Sequence, residues 1–480
     1  MTTATIKRIL ALLAVAMFSP QLFAANSIFN VKDYGASGNM KDYATGSIQK
    51  AIDDCNKAGG GTVLLPPGDY LSATIYLKSN VTFCLTAGAT LYASNREADY
   101  TDFFGIKGDE QVPMLICARK ADNITICGDG TISGQPVYDS IPFKYNKFIA
   151  EDCDAAIEAG VPLWSWRRQK PNLSLAILSE CKNVKVEDVT FTRSPFWTLH
   201  LNWCDLVSVR GVRIYNELQK SPNADGIDIN GCNGVTVSDC QIVAGDDAIV
   251  VKSTDGGTSS VRNSENIVVT NCILSSSSCA LKLGTESFGD FRNIIFSNCV
   301  IKDTNRALGI LIRDGGTADN ILFSNIVIRC TRMRTGLWGG AEAIYFVVIK
   351  RNKESKTGRI RNVTVKDIVA DVEGTSRIIA YEGENNIENV KLSNISMNIY
   401  SEPTPDKRAK EGLVIKNAAN VVIDDVTIKW NGDRQQKWSN SFVFEDIDGF
   451  YRRDLRAVNQ PEGFDPIVEK NVTPYYPVIK

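Results

Sequence analysis

A short block of alternating apolar and polar residues recurs through most of this chain, and it constrains the fold more than any other feature. The block reads NVTF at Asn80, NITI at Asn123, NVKVEDVTF at Asn183 and DLVSVRGVRI at Asp205. It continues as GVTVSDCQI at Gly234, NIVVTNCIL at Asn266, NIIFSNCVI at Asn293 and NILFSNIVI at Asn320, and returns at Asn362, Asn389 and Asn420. Alternation with many β-branched positions is a strand signature. The spacing is roughly 22 to 33 residues through the middle of the chain, about one coil of a β-solenoid. The sequence therefore predicts an all-β chain, a single right-handed parallel β-helix. Each strand would pair with its copy one coil away, with Val, Ile, Leu and Cys in inward columns and Asn and Gly at the bends.

A chain of 480 residues would ordinarily divide into domains, but a solenoid extends one core instead. The longer gaps between blocks must hold insertions, which carry Trp164, Trp166, Arg167, Arg168, Trp338 and Tyr345. Two readings stand for these residues, stacking on sugar faces and packing. Thr45 to Ala58 fits an amphipathic helix, with Ile48, Ala51, Ile52 and Cys55 on one face and a stop at Gly59, suited to cap the N-terminal end of the core. Beyond about Trp430, over residues 430–480, the repeat fades, and this tail is predicted to fold back along the side. At the other end, Lys7 and Arg8, the apolar run Ile9 to Phe18 and the small-residue exit at Ala24 and Ala25 read as a signal peptide over residues 1–24. The mature chain would be residues 25–480, secreted or periplasmic and monomeric, with no membrane span. Net charge is −2 with no basic stripe, so no nucleic-acid partner is expected. Thirteen cysteines and one histidine form no metal-ligand spacing, so no metal site is expected. The cysteines read mainly as buried small hydrophobes in a ladder, with one or two disulfides as the alternative.

Aligning the coils by hand gathers carboxylates. With Val212, Cys240, Cys272 and Cys299 at one level, Asp247, Cys279 and Arg306 follow seven residues later on successive coils. Asp225, in NADGIDIN, precedes GDDAIVV by about one coil, so it should sit beside Asp246 and Asp247, about 4.8 Å away per coil. A lone aspartate at such a bend reads as a backbone hydrogen-bond acceptor. Three together repel, which raises the pKa of at least one. An acid and a base of one chemical type are what glycoside hydrolysis needs. Further along, Thr254, Glu286 and Arg313 fall at one level, so Glu286 and Arg313 should be neighbours, either holding and orienting a sugar or forming a surface ion pair. Lys252 and Lys282 are weaker candidates for binding the substrate. His200 lies one coil before Asp225 and reads as a packed or surface-bonded histidine, with a catalytic or substrate-binding role as the alternative, and Trp197 next to it could form a sugar platform.

These residues resemble a known family. NADGIDIN, GDDAIVVKS, the upstream SPFWTLH and the repeat are similar to glycoside hydrolase family 28, the polygalacturonases and their relatives, from about Phe29 to at least Glu342. FNVKDYGASG and GGGTVLLPPGDY also resemble that family's entry into its β-helix. The resemblance implies inverting hydrolysis of a pectic polysaccharide, either polygalacturonate or the rhamnogalacturonan backbone. Asp246 would be the general acid, Asp225 and Asp247 would activate water, and no cofactor is implied. Two departures bear on the substrate. The family's usual Gly-His-Gly is replaced by SSCALKLGTES, which holds Glu286, and its Arg-Ile-Lys clamp by RALGILIRDGG, which offers Arg306 and Arg313. The rival functions are a β-helix polysaccharide lyase acting on uronides and a non-catalytic carbohydrate-binding solenoid.

Overall fold

The computed structural model describes residues 27–107, 110–142, 154, 157, 164–255, 260–333, 339–402, 409–433 and 437–475. The expected signal peptide and Trp338 lie outside the described residues, as do the side chains of Trp164 and Arg168.

Period-two sequences with apolar alternate positions need a partner for every backbone N–H and C=O and cover for one face. A single sheet of 31 strands meets both needs by parallel pairing from coil to coil. Leu199, Ile227, Ile249, Leu281, Leu308 and Ile344 lie opposite one another on successive coils, and so do Leu201, Ile229, Val251, Leu283, Ile310 and Phe346. All of them are buried in the central column of the molecule. The cysteine ladder holds too, since the register places Val212, Cys240, Cys272 and Cys299 at one level. The described cysteines are free thiols.

The recurring asparagines occupy the bends. Asn123, Asn183, Asn266, Asn293, Asn320, Asn362, Asn389 and Asn420 all have φ near the left-handed helical value, a region Asn tolerates better than branched residues. Each side-chain amide donates to the residue one coil back, as in Asn183 to Asn123 at 2.8 Å, Asn293 to Asn266 at 3.0 Å and Asn320 to Asn293 at 2.9 Å. An amide carries both a donor and an acceptor, so one residue type can extend such a ladder without limit.

A helix, α1, spans Thr45–Lys57 and buries Ile48, Ala51, Ile52 and Cys55, the four residues read as its apolar face. The insertion after Asn123 contains an antiparallel hairpin of Tyr138–Pro142 with Trp164–Arg168. The sequence expectation for the tail is corrected. Strands Phe442–Val458 and Ile467–Pro474 continue the same parallel stack instead of folding back. Phe442, Phe444 and Ile447 carry the core onward, and Asn471 donates to Asp446 at 2.8 Å in the column of Asn417. The repeat is masked there because Gly449 takes the level of Asn420 and the outer face is crowded with charge, Arg453 pairing with Asp424 and Arg456 with Asp425.

One bend departs from the rule. Leu206 sits at φ 55° and is 58% exposed, level with Asn183 on one neighbouring coil and Gly234 on the other. Its Cβ meets the left-handed penalty of about 1–2 kcal/mol without burial to offset it. Leu206→Asn should therefore raise the chemical-denaturation midpoint, by about 1 kcal/mol in stability. A lower midpoint would show that the bend tolerates Leu for a reason other than conformation.

Candidate active site

Four strands position the candidate groups: β1 (Leu199–Asn202), β2 (Ile227–Asn230), β3 (Ile249–Ser253) and β4 (Ile273–Ser287). Two further strands, β5 (Phe291–Ile312) and β6 (Glu342–Val348), follow on the next coils. Two residues before the common inward level of Leu199, Ile227, Ile249, Leu281, Leu308 and Ile344 stand Trp197, Asp225, Asp247, Cys279, Arg306 and Glu342. The backbone confirms this stacking. Thr198 N–H donates to the Asp225 carbonyl, Gly226 N–H to that of Asp247 and Ala248 N–H to that of Cys279, each at 2.9 Å. Asp225 and Asp247 are thus neighbours on adjacent coils, and Asp246 shares the bend with Asp247. Gly245 makes this bend possible, because a Cβ there would lie 2.1 Å from the Ser221 carbonyl oxygen.

All three carboxyls are buried, and their partners differ. Lys252 Nζ lies 3.1 Å from Asp225 Oδ2, and Lys282 Nζ lies 2.6 Å from Asp247 Oδ2. Asp247 Oδ1 also accepts the Cys279 N–H at 3.2 Å. Asp246 has neither lysine in contact; its Oδ2 accepts one backbone N–H, from Asn223, at 3.2 Å. Burial, then the charges of Asp225 and Asp247, push the Asp246 carboxyl up to about 8. Burial also raises Asp225, but Lys252 opposes that push.

The expected binding residues divide. Lys252 and Lys282, the weaker binding candidates, are buried with their ammonium groups against aspartates. Trp197 is only 4% exposed, its ring stacks on Phe196, and Lys252 Nζ lies 3.4 Å from the ring centroid. An open platform is therefore not what this ring offers. His200 packs edge-on against Phe104 and Trp197, with neither ring nitrogen hydrogen-bonded. Burial, then Lys252, pull its pKa down to about 3, so it is a neutral packed imidazole.

Glu286 and Arg313 are neighbours as expected, since Thr285 and Ile312 immediately before them are paired. Thr254 does not join them. Val251 lies opposite Leu283 but Ser253 opposite Ser287, a bulge that shifts the register at this point. Three charged residues were not singled out from the sequence. Arg351 lies 3.5 Å from Glu286 and is clamped by both carboxylate oxygens of Asp314, at 2.7 and 2.8 Å. Glu342 pairs with Arg306 in the buried row, and the Tyr345 ring covers that guanidinium at 3.7 Å, so Arg306 is not a free clamp. Asp228, fully buried, lies 2.8 Å from Lys252 Nζ and level with His200. Its signal was present in NADGIDIN, where strand alternation sends Asp228 to the same outer face as His200.

Among the described residues no three His, Cys, Asp or Glu side chains converge as a metal-binding set. A cavity of about 280 Å³ opens several coils before the aspartates, lined in part by Tyr100, Phe103, Lys170 and Asn172.

Comparison with known proteins agrees with this geometry. A family model described as glycosyl hydrolases family 28 matches residues 55–411. A probable polygalacturonase of Arabidopsis thaliana is 26% identical over 252 residues, 51% of this chain and 46% of that protein. An exo-poly-alpha-D-galacturonosidase of Dickeya chrysanthemi is 26% identical over 257 residues, 47% of this chain and 42% of that protein. The chain thus spans about half the length of the relatives it matches. An exopolygalacturonase of Thermotoga maritima shares the fold, with a TM-score of 0.64 and 23% identity over 86% of this chain and 93% of the other. On the family match, which takes in the aspartate bends and most of the coils, the chain belongs to glycosyl hydrolase family 28.

Proposed function

We propose that this chain hydrolyses α-glycosidic bonds of a pectic polysaccharide, of the polygalacturonate type, with inversion at the anomeric carbon. The observation that carries the reading is one buried carboxyl, Asp246, held protonated near neutral pH beside two carboxylates that each contact a lysine. Asp246 donates its proton to the leaving glycosidic oxygen. Asp225 and Asp247 take the proton of the attacking water, which leaves the sugar as a hemiacetal hydroxyl. Relatives named for polygalacturonate cleavage support an acidic sugar, and the Arg313 and Arg351 guanidiniums beyond the aspartates suit its carboxylates. Glu286, held by Arg351, would orient the sugar next to them.

We further infer a right-handed coil with α1 as its N-terminal cap, a monomeric enzyme, and export to the periplasm or medium with loss of residues 1–24. Intact mass of the exported protein tests that cleavage directly. No described helix is long and apolar enough to cross a membrane.

Asp246→Asn should lower turnover on polygalacturonate at least ~100-fold with substrate binding nearly unchanged. Turnover within a few fold of the parent would remove Asp246 from the mechanism. A product with an unsaturated, ultraviolet-absorbing uronide end would replace hydrolysis by elimination.

The same carboxyl links to stability. Its folded pKa lies above its ordinary value of 3.8, so the folded chain binds a proton that the unfolded chain releases. The stability this group contributes is therefore present below 3.8 and lost as pH rises through about 8. Asp246→Asn should melt higher than the parent at pH ~8 but not at pH ~4, a difference of about 2 °C or more in thermal scans. Equal differences at both pH values would show that Asp246 does not hold this proton.

A further inference from the structure

Of the charged groups in the molecule, the two buried lysines are the ones that the proposed reaction leaves without a task. Each touches one of the two aspartates assigned to water activation, and neither contacts the aspartate assigned as acid. Lys252 makes a second contact, 2.8 Å to Asp228, and its ammonium rests on the Trp197 face. Asp228 is fully buried and level with His200, and burial pushes its carboxyl well above its ordinary range while Lys252 pulls it back. A buried carboxylate and ammonium are each costly alone and tolerable together, so such groups are retained where they fix something else.

We propose that Lys252 and Lys282 are positioning residues that divide the three aspartates into one acid and two bases, and that Asp228 is the counter-ion that shares Lys252 and sets how strongly it acts on Asp225. This rests on the hydrolytic reading of the site. The argument is one of charge in a confined space. Asp225, Asp228, Asp247 and Glu286 face Lys252, while Asp247, Asp246 and Lys252 face Lys282. Burial alone would pull both ammonium groups down, but the surrounding carboxylates hold both above their ordinary range, so both stay charged. Two fixed positive charges stabilise the carboxylates they touch. The one carboxyl of the three without such a contact, Asp246, is then the one that keeps its proton. The backbone treats Asp246 and Asp247 alike, each accepting one peptide N–H at 3.2 Å, so the difference between them lies in the lysines. The Trp197 ring adds a cation–π contact that stops Lys252 from swinging out to solvent.

The two substitutions that test this act in opposite directions. Lys252→Met removes the charge on Asp225, so the acidic limb of the kcat/KM profile on polygalacturonate should move to higher pH, by about one unit or more. Lys252→Arg, which keeps the charge, should restore the limb toward the parent. Asp228→Asn leaves Lys252 to Asp225 alone, so its limb should move to lower pH. KM at the plateau should stay within a few fold in all three. A raised KM with an unmoved acidic limb would make Lys252 a sugar ligand and overturn the proposal, and so would shifts of the same sign for Lys252→Met and Asp228→Asn.

A readout free of substrate keeps the two readings separable. Carboxyl infrared absorption can be followed against pH in the unliganded protein, parent and variants alike. Opposite shifts there, in a chain that releases no hydrolysis product from polygalacturonate, would uphold the charge assignment and sink only the proposed reaction. Unmoved carboxyl titrations in variants that still melt cooperatively would sink the charge assignment whatever the substrate.

Discussion

Parallel pairing between coils places each residue about 4.8 Å from its counterpart on the next, and the rest of this molecule depends on that spacing. The same repeat distance stacks Leu on Ile in the core, Asn on Asn at the bends, and Asp225 on Asp247 at the site. In the core it yields close apolar packing, and at the bends it makes amide ladders that satisfy donor and acceptor together. At the site it forces like charges together, with no loop freedom to relieve them. The apolar columns stabilise a scaffold stiff enough to hold carboxylates where they would otherwise separate.

Whatever could be reached by counting from one coil to the next was legible in the sequence. NADGIDIN and GDDAIVV lie one coil apart, so the meeting of Asp225 with Asp247 followed from the repeat, as did that of Glu286 with Arg313 and the cysteine level from Cys240 to Cys299. What failed depended on something other than level. A lysine side chain has four methylenes, so the position of Lys252 says little about where its ammonium rests, and its contacts with Asp225 and Asp228 were not foreseen. Thr254 was misplaced because the bulge opposite Val251 breaks the count. Arg351 follows an insertion, where counting has no reference, and the last two strands hid behind Gly449 at the bend and a charged outer face.

The buried row also shows how a fold with few ionisable types can separate roles. His200, the sole histidine, is packed between aromatic rings with no hydrogen bond to either nitrogen, so the proposed proton transfers are assigned to carboxyls. Carboxyls share one intrinsic acidity, so only their surroundings can make them differ. Here the surroundings that differ are two ammonium groups, each supplied by the next coil, while Asp246 and Asp247 each accept one peptide N–H.

The amide ladder at the bends acts on the chain much as a reading frame acts on a message. A residue added within a strand displaces every later side chain to the opposite face, so Asn leaves its rung, Leu leaves the core and an aspartate leaves its lysine. A residue added between strands changes nothing downstream, because loop closure costs little more for a longer loop. The hairpin of Tyr138–Pro142 with Trp164–Arg168 is such an addition, and the coils after it resume in phase. Chains built this way are free to vary the loops between strands by insertion and deletion, while the buried row of charges changes only by substitution.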